Sequence, residues 1–263
     1  KKISQRLTRH PAGCRARKEA GAVRGLGRAA PLTAAEAAAL FAALVPPDRP
    51  VVLAVSGGPD SVAMLGLYAE ALYIVPLPRP IIATVDHGLR AGSNAEAAAV
   101  GRFAASLGLD HHILTWTGRS RTSHLQEDAR TARYRLLSSV VAATGSGAVL
   151  TAHTLDDQAE TVLMRLIRGS GPAGLQGILA TRTLGSLTVI RPLLGVAKAR
   201  LMATCAARGW DFVTDPSNAD PKFDRARLRR VMPVLAREGL TAERLVRLAA
   251  RMRRMQGALD HRA

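Results

Sequence analysis

The 263-residue chain is short of several residue types, and each shortage excludes a class of protein. Its two cysteines, Cys14 and Cys205, form no CxxC pair, which excludes a cysteine zinc site or a disulfide framework and fits a reducing compartment. Aromatic residues make up only 3%, so alanine, leucine and valine must build most of the core. No apolar run reaches the roughly 18–20 residues that a membrane helix needs. We therefore expect a cytoplasmic globular protein without a membrane partner.

Acidic residues are scarce at both ends of the chain. The whole sequence has 37 Lys and Arg against 20 Asp and Glu, a net charge of +17. Residues 1–30 hold nine basic and one acidic side chain, residues 222–263 hold twelve and four, and residues 31–221 hold 16 and 15. A neutral body with basic ends favours a polyanionic partner, most simply nucleic acid. The alternative is a basic proteome with arginine-rich solvated surfaces.

These charge differences also divide the chain into three predicted parts. Residues 1–30 have no periodic apolar face and no apolar signal core, so we interpret them as a disordered basic extension; a transit peptide or a misplaced gene start are the alternatives. Residues 31–221 form the predicted main domain. Residues 222–263 form a basic tail, predicted to be helical from Arg225 to Arg254 and to begin a tRNA-binding region.

Short apolar runs alternate with amphipathic stretches through the main domain. The predicted strands are 51–55, 81–85, 111–116, 148–153 and 187–193. The predicted helices are 33–44, 61–72, 94–107, 126–143, 155–168 and 196–208. Thr33 and Glu36 have capping-box spacing at the start of the first helix. This alternation predicts an α/β fold with a doubly wound parallel sheet, whose ligands bind at the carboxyl ends of the strands.

The first predicted strand runs directly into a glycine-containing loop and a helix. The loop residues are Ser56, Gly57, Gly58, Pro59, Asp60 and Ser61. Two glycines let backbone N–H groups approach an anion, the serines add hydroxyl donors, and the helix dipole adds positive potential. We interpret the segment as a phosphate cradle, against the alternative of an ordinary tight turn. It has no Walker A lysine, so we expect Asp60 to hold Mg²⁺.

A second polar block follows the fourth predicted strand. The strand delivers His153 to the sheet edge, while Asp157 and Glu160 are spaced i, i+3 and Asp156 and Glu160 i, i+4 on the next helix. Carboxylates placed in this way can bind Mg²⁺ or the ammonium group of a lysine, or take a proton from that amine. The alternatives are a helix N-terminal charge for Asp156 and a hydrogen-bonded core histidine for His153.

Further candidates lie near other strand ends and in the tail. His87 and Arg90 follow the second strand, where Arg90 is expected to meet a phosphate or nucleobase and His87 alternatively caps a turn with Asp86. Arg130 and Arg133 are spaced i, i+3 on one predicted helix, with Tyr134 beside them; a solvated arginine face is the alternative for Arg130 and Arg135. The residues predicted to hold RNA phosphates, again against a solvated basic face, are Arg191, Arg225, Arg227, Arg229 and Arg230.

Gly169, Gly171 and Gly174 spell a GxGxxG pattern. This pattern follows a predicted helix rather than a strand, so the dinucleotide-binding interpretation fails. We predict a flexible loop that opens for substrate instead.

The SGGPDS segment resembles the pyrophosphate loop of the N-type ATP pyrophosphatases, which transfer AMP to an oxygen and release pyrophosphate. More blocks follow in order: VDHGLR at 85–90, TAHTLDDQAET at 151–161, RGSGPAGL at 168–175, RPLL at 191–194, DPSN at 215–218 and FDRARLR at 223–229. Across about residues 50–235, this series resembles the tRNA(Ile)-lysidine synthetase family. The resemblance implies an adenine nucleotide α-hydrolase-like, Rossmann-like domain.

The resemblance also implies the chemistry. ATP and Mg²⁺ would lie over residues 56–61, the phosphate loop, and Val85, His87 and Arg90 would also contact the nucleotide. The wobble cytidine of a tRNA(Ile) with a CAU anticodon would be adenylated at its C2 oxygen, and free L-lysine would then displace AMP to give lysidine. The implied catalytic residues are Asp60, His153, Asp157, Glu160 and, steadying the transferred phosphate, Arg133.

Alternatives to that activity are an N-type tRNA thiolase and a non-catalytic RNA-binding module. Thiolases of the cluster-dependent type need CxxC cysteines, which this chain lacks. Longer members of the family continue into C-terminal domains that grip the tRNA, so a minimal form is expected to discriminate tRNA less sharply. A homodimer stays open as the assembly state.

Overall fold

A computed structural model describes residues 29–88, 92–116, 125–214 and 224–260. Its six strands are β1 (Val51–Ala54), β2 (Pro80–Asp86), β3 (His111–Thr115), β4 (Ala148–Thr151), β5 (Thr181–Leu184) and β6 (Leu187–Ile190). They form one sheet in the order β3-β2-β1-β4-β6-β5. The β5–β6 pair is antiparallel and every other pair in the sheet is parallel.

Helices connect the strands and extend beyond the last one. They are α1 (Ala34–Ala42), α2 (Pro59–Ala71), α3 (Ser93–Ser106), α4 (Leu125–Thr144), α5 (Leu155–Ile167), α6 (Pro172–Leu175), α7 (Lys198–Arg208), α8 (Asp224–Arg237) and α9 (Ala242–Asp260). The start of α1 is fixed by the capping box predicted from sequence: Thr33 accepts from the Glu36 amide, and Glu36 accepts from the Thr33 amide.

The central strand β1 is buried on both of its faces. Val51 and Leu53 belong to the larger hydrophobic cluster, which includes Phe41 of α1 and many residues of α2. Val52 points to the other face and packs in a cluster with Leu137 of α4. A strand covered by helices on both sides needs a continuous apolar run rather than alternation, which is why VVLA forms the middle of the sheet.

The doubly wound parallel sheet is confirmed for five strands, and the edge strand β5 departs from it. Sequence analysis did not predict β5, because Thr181, Arg182 and Thr183 are exposed and supply no apolar pattern. The strand pairs with β6 through a tight turn at Gly185, whose φ is +59°. The pairing therefore places an antiparallel hairpin at one side of the sheet.

The helical character predicted for the tail from Arg225 to Arg254 is confirmed, and the tail folds into two helices, α8 and α9. The chain breaks between α8 and α9 at Gly239, whose φ of +88° is a left-handed conformation that glycine adopts readily. Helix α9 packs on α5, where Leu245 and Ala249 join a cluster with residues of α5. The tail therefore shares a hydrophobic core with the main domain.

The three-part division of the chain stays a prediction. Residues 1–28, which make up nearly all of the predicted extension, and the segment 215–223, which contains the predicted boundary and the DPSN block, lie outside the described residues. In the ranges that are described, no helix has both the length and the apolar character to cross a membrane.

Candidate active site

The turn between β1 and α2 lies at the carboxyl edge of the sheet and opens the N-terminus of α2. Gly57 has a φ of +87°, and Gly58 is the N-cap of α2 with Pro59 in the first turn. Gly58 has no side chain to accept from the first-turn N–H groups, which are therefore left for a ligand. With the positive end of the helix dipole, this geometry suits an anion such as phosphate.

Two serines hold this turn in shape. The Ser61 hydroxyl donates to the Gly58 carbonyl at 2.9 Å and accepts from the Ser56 amide at 3.2 Å, and the two serine hydroxyls lie 3.3 Å apart. Ser61 is buried and Ser56 is exposed. Ser61 therefore braces the turn, whereas the Ser56 hydroxyl is accessible to a ligand.

Asp60, in the first turn of α2, is paired with a lysine that the sequence analysis missed. Its Oδ2 atom lies 2.8 Å from Nζ of Lys198, at the start of α7. Its Oδ1 atom is buried and has no hydrogen-bond partner among the described residues. Burial raises the pKa of Asp60, and the Lys198 ammonium opposes that rise. The unpartnered oxygen leaves this carboxylate suited to hold a cation.

Asp156 fixes the helix that carries this lysine. Its Oδ2 atom accepts a hydrogen bond from the backbone N–H of Lys198 at 2.7 Å, so it caps α7 rather than only its own helix. The residues are 42 positions apart, and no local sequence pattern indicates the contact.

His153 lies two residues beyond the end of β4. Its Nδ1 atom is 2.9 Å from the Thr151 hydroxyl. Burial lowers the pKa of His153 to about 4, and the nearby charge of Arg191 lowers it further, while Asp157 opposes the shift. The imidazole is therefore neutral at pH 7, and it resists protonation until the pH falls toward 4.

The two predicted carboxylates of α5 are engaged in different contacts. Asp157 closes a capping box, where its Oδ2 accepts from the amide and the hydroxyl of Thr154, both at 2.8 Å. Glu160 is 3% exposed and pairs with Arg229 of α8, with Nε at 2.5 Å from Oε1. Burial raises the pKa of Glu160, and the bond from Arg229 opposes that rise. Their catalytic roles stay predictions.

Arg191 follows β6 and is buried, at 4% exposure. Its Nη1 donates to the Leu179 carbonyl at 2.8 Å, and its Nε has no hydrogen-bond partner within the described part of the chain. Its charge reaches His153 on the neighbouring strand end. The predicted contact with an RNA phosphate would therefore require a group inserted into the site rather than one resting on the surface.

The residues after β2 form the other side of the site. The His87 ring packs edge-on against Trp116, with 5.9 Å between centroids, and its Nδ1 is buried with no partner among the described residues. Burial lowers the pKa of His87, and Arg133 of α4 lowers it further. Asp86 caps the turn by accepting from the Gly88 amide at 2.9 Å. Val85 packs against the hydrophobic cluster that contains Val52 of β1 and Leu137 of α4. Arg90 lies outside the described residues.

The remaining candidates occupy α8 and the glycine-rich segment. Arg225 is exposed, and its charge reaches His153 and Glu160. Arg227 pairs with Asp224, as does Arg168. The predicted flexible loop contains helix α6, with Gly169 just after α5, Gly171 as the N-cap of α6 and Gly174 inside it. Its opening for substrate stays a prediction.

Comparisons with known proteins agree with this geometry. A family model described as a PP-loop domain matches residues 32–235. A tRNA(Ile)-lysidine synthase from Methylobacterium nodulans is 62% identical over 80% of this chain and 61% of its own length. One from Salinispora tropica is 43% identical over 89% of this chain and 72% of its own length. The chain thus spans about three fifths of the Methylobacterium relative.

A solved structure shares the fold. A U34-tRNA thiolase from Methanococcus maripaludis, with its [4Fe-4S] cluster, superposes with a TM-score of 0.68 and 19% identity over 83% of this chain and 78% of its own. At that identity the likeness concerns the fold alone. The sequence matches go further, and by them the chain belongs to the PP-loop family and, within it, to the tRNA(Ile)-lysidine synthases.

Proposed function

We propose that this chain ligates lysine to C2 of the wobble cytidine of a tRNA(Ile) with a CAU anticodon, consuming ATP and releasing AMP and pyrophosphate. One observation carries the proposal: β1 and β4 are adjacent parallel strands in register, with Ala54 opposite Thr151. The phosphate loop after β1 and the polar residues after β4 therefore leave the sheet side by side. An activated base and an attacking amine need this proximity.

In the first half-reaction the phosphate loop binds the triphosphate through its amides and the Ser56 hydroxyl. The C2 oxygen of the cytidine attacks the α-phosphorus, the bond between the α- and β-phosphates breaks, and pyrophosphate leaves. Asp60, with its unpartnered buried oxygen, fits the role of Mg²⁺ ligand. Bound Mg²⁺ would neutralise charge on the phosphates, and it is commonly held by one or two carboxylates together with phosphate oxygens.

In the second half-reaction the ε-amine of free lysine attacks C2 of the adenylated cytidine. A C2–N bond forms, the C2–O bond breaks, and AMP leaves with the former base oxygen. The amine must lose protons, which Glu160, whose pKa burial raises, would accept. His153, neutral at pH 7, would orient the amine by accepting a hydrogen bond from it. Asp157 and Glu160 would attract the lysine ammonium, and the cations Arg133 and Arg191 would steady the phosphate.

The RNA partner follows from the charge of the helical tail. Helices α8 and α9 carry most of the basic residues of the segment 222–263, which has twelve basic and four acidic side chains. Arginines bind RNA phosphates without reading sequence, so this surface would hold the tRNA while the site reads the base. A cytoplasmic location and a homodimer remain predictions of the sequence.

The test is incorporation of labelled lysine into a CAU-anticodon tRNA(Ile), measured together with AMP formation. We expect the wild type to need ATP, lysine and tRNA, and Asp60→Asn to lose the activity while still binding tRNA. Asp48→Asn is the matched control, because Asp48 is an exposed aspartate in the loop before β1. Transfer of labelled sulfur instead of lysine would identify a thiolase, and a wild type that binds the tRNA but incorporates neither label would identify a binding module.

A further inference from the structure

The phosphate loop lacks a lysine in its own sequence, yet the fold brings one to it. Nζ of Lys198 lies 2.8 Å from Oδ2 of Asp60, although the two residues are 138 positions apart. The Lys198 side chain is 39% exposed and that of Asp60 is 20% exposed. The ammonium group therefore sits at the mouth of the loop, where it is accessible to a ligand from solvent.

Two sets of contacts fix Lys198 in this position. Its backbone N–H donates to Asp156 at 2.7 Å, and just before it the Val196 carbonyl accepts from the Leu155 amide at 2.9 Å. Further along α7, the Cys205 thiol lies 3.5 Å from the Pro59 carbonyl, beneath the phosphate loop. Helix α7 is therefore held against both the first turn of α5 and the first turn of α2.

The carboxylates around Asp60 make the phosphate loop a site that favours a cation. Burial raises the pKa of Asp60, and the nearby carboxylates of Asp157 and Asp156 raise it further. Three carboxylates beside a phosphate cradle would repel a triphosphate unless positive charge offsets them. Lys198 supplies a positive charge directly at Asp60.

We propose that Lys198 binds β- and γ-phosphate oxygens of the ATP on the loop, as a lysine delivered from a distant segment in place of one within the loop sequence. This inference rests on the proposed function for the identity of the nucleotide. In the nucleotide-free protein Asp60 holds the ammonium group. When ATP binds, the ammonium group turns to the phosphates and the Asp60 carboxylate becomes available to Mg²⁺.

The experiment compares the binding of ATP, inorganic pyrophosphate and AMP by titration calorimetry in the presence of Mg²⁺. We expect Lys198→Met to weaken ATP and pyrophosphate binding about tenfold or more, which corresponds to about 1.4 kcal/mol, and to change AMP binding less than about twofold. Lys198→Arg should recover most of the lost affinity, because it keeps the charge. Arg200→Met is the matched control, since Arg200 lies on the same helix but pairs with Glu36 of α1.

The outcomes separate this inference from the one it rests on. Equal weakening of ATP and AMP binding in Lys198→Met, or no weakening at all, would overturn the role of Lys198 and leave the proposed function standing. A wild-type protein that binds neither ATP nor pyrophosphate would overturn the proposed function, and this inference with it. Thermal unfolding of each variant, measured without nucleotide, shows whether an affinity change comes from loss of the fold.

Discussion

At the scale of single residues, the two glycines of the phosphate loop have different reasons to be glycine. Gly57 has a φ of +87°, a conformation that strains a residue with a Cβ. Gly58 has a φ of −73° and a ψ of 164°, which any residue adopts, and a Cβ there would lie 3.9 Å from the Ser56 hydroxyl. Only the first glycine is therefore required by the conformation of the free protein.

We accordingly expect Gly57→Ala to destabilise the protein by about 1–2 kcal/mol, the cost of a left-handed conformation for alanine. The matched variant Gly58→Ala should stay within about 0.5 kcal/mol of the wild type, because alanine restricts the unfolded chain without strain in the folded one. Urea unfolding of both variants measures the difference. Equal losses in the two variants would show that the turn is not held in this conformation.

A second residue-scale prediction concerns His153 and acid. Four charged groups on different elements act on its ring: Asp157 on α5, Arg130 on α4, Arg225 on α8 and Arg191 after β6. Burial and the three arginines hold its pKa at about 4, against 6.5 for an ordinary histidine. As the pH falls from 6.5 to 4, the unfolded chain binds a proton that the folded chain refuses, so stability decreases across that window.

We expect the free energy of unfolding to fall between pH 7 and pH 5 by roughly 1–2 kcal/mol more in the wild type than in His153→Gln. Urea titrations at the two pH values measure this, and taking the difference cancels any change in packing that is independent of pH. Some dependence will remain in the variant, since burial also lowers the pKa of His87 and of His111. Identical slopes would mean that His153 titrates normally in the folded protein.

At the scale of secondary structure elements, the sequence predicted those features that depend on residues close together in the chain. The strand–glycine–helix order around Gly57 was predicted because the buried run, the turn and the helix start are contiguous in sequence. The capping box of α1 was predicted for the same reason. Contacts between residues far apart in the chain were not predicted. Lys198 contacts Asp60, 138 positions away, and Asp156 caps α7 through Lys198, 42 positions away.

The sequence did not predict the burial of Arg191, for a different reason. An arginine after a strand gives no sign of its exposure, because burial depends on the hairpin of β5 and β6 that packs around it. The Ala180 carbonyl accepts from the Arg191 amide, and the Leu179 carbonyl accepts from its guanidinium. Since β5 is itself exposed and polar, its presence and its effect on Arg191 were both hidden in the sequence.

Helix α9 has a buried apolar face and an exposed arginine face, which could be assigned only once the bounds of the helix were known. Leu245 and Ala249 are fully buried against α5. Arg244, Arg247, Arg251 and Arg254 are all exposed, and their spacing of three, four and three residues places them on one stripe opposite the buried pair. Over ten residues this arginine stripe is about 15 Å long, enough to span more than one phosphate of an RNA strand.

We expect the double variant Arg247→Gln and Arg251→Gln to weaken tRNA binding and to reduce the slope of log K against log salt concentration by about two. The matched control removes two arginines from the body, Arg49→Gln and Arg102→Gln, and should change the slope little. Filter binding or fluorescence anisotropy over a salt series measures both. An unchanged slope in the first variant would show that the arginine stripe only faces solvent.

At the scale of the whole molecule, the question is whether the tail and the main domain unfold together. Both tryptophans, Trp116 and Trp210, lie in residues 31–221. Trp210 packs so closely on α2 that a Cβ at Gly66 would lie 2.4 Å from its ring. Tryptophan emission therefore reports on the main domain. The tail touches that domain through α5, the helix that carries Asp157 and Glu160.

Because α9 buries the apolar side of α5, we expect Leu245→Ala to destabilise the main domain as well as the tail. Leu245 is fully buried, and removal of a buried leucine typically costs about 2–5 kcal/mol. The urea midpoint followed by tryptophan emission should then fall together with the midpoint followed by helix content. Leu259→Ala, at a position on the same helix that is 57% exposed, should move neither midpoint.

A Leu245→Ala variant that loses helix content early but keeps the wild-type tryptophan midpoint would mean that residues 222–263 are a separate unit. In that case the arginine stripe would belong to a unit that unfolds on its own, whereas a shared midpoint would show that α9 and the helix that carries Asp157 and Glu160 unfold together.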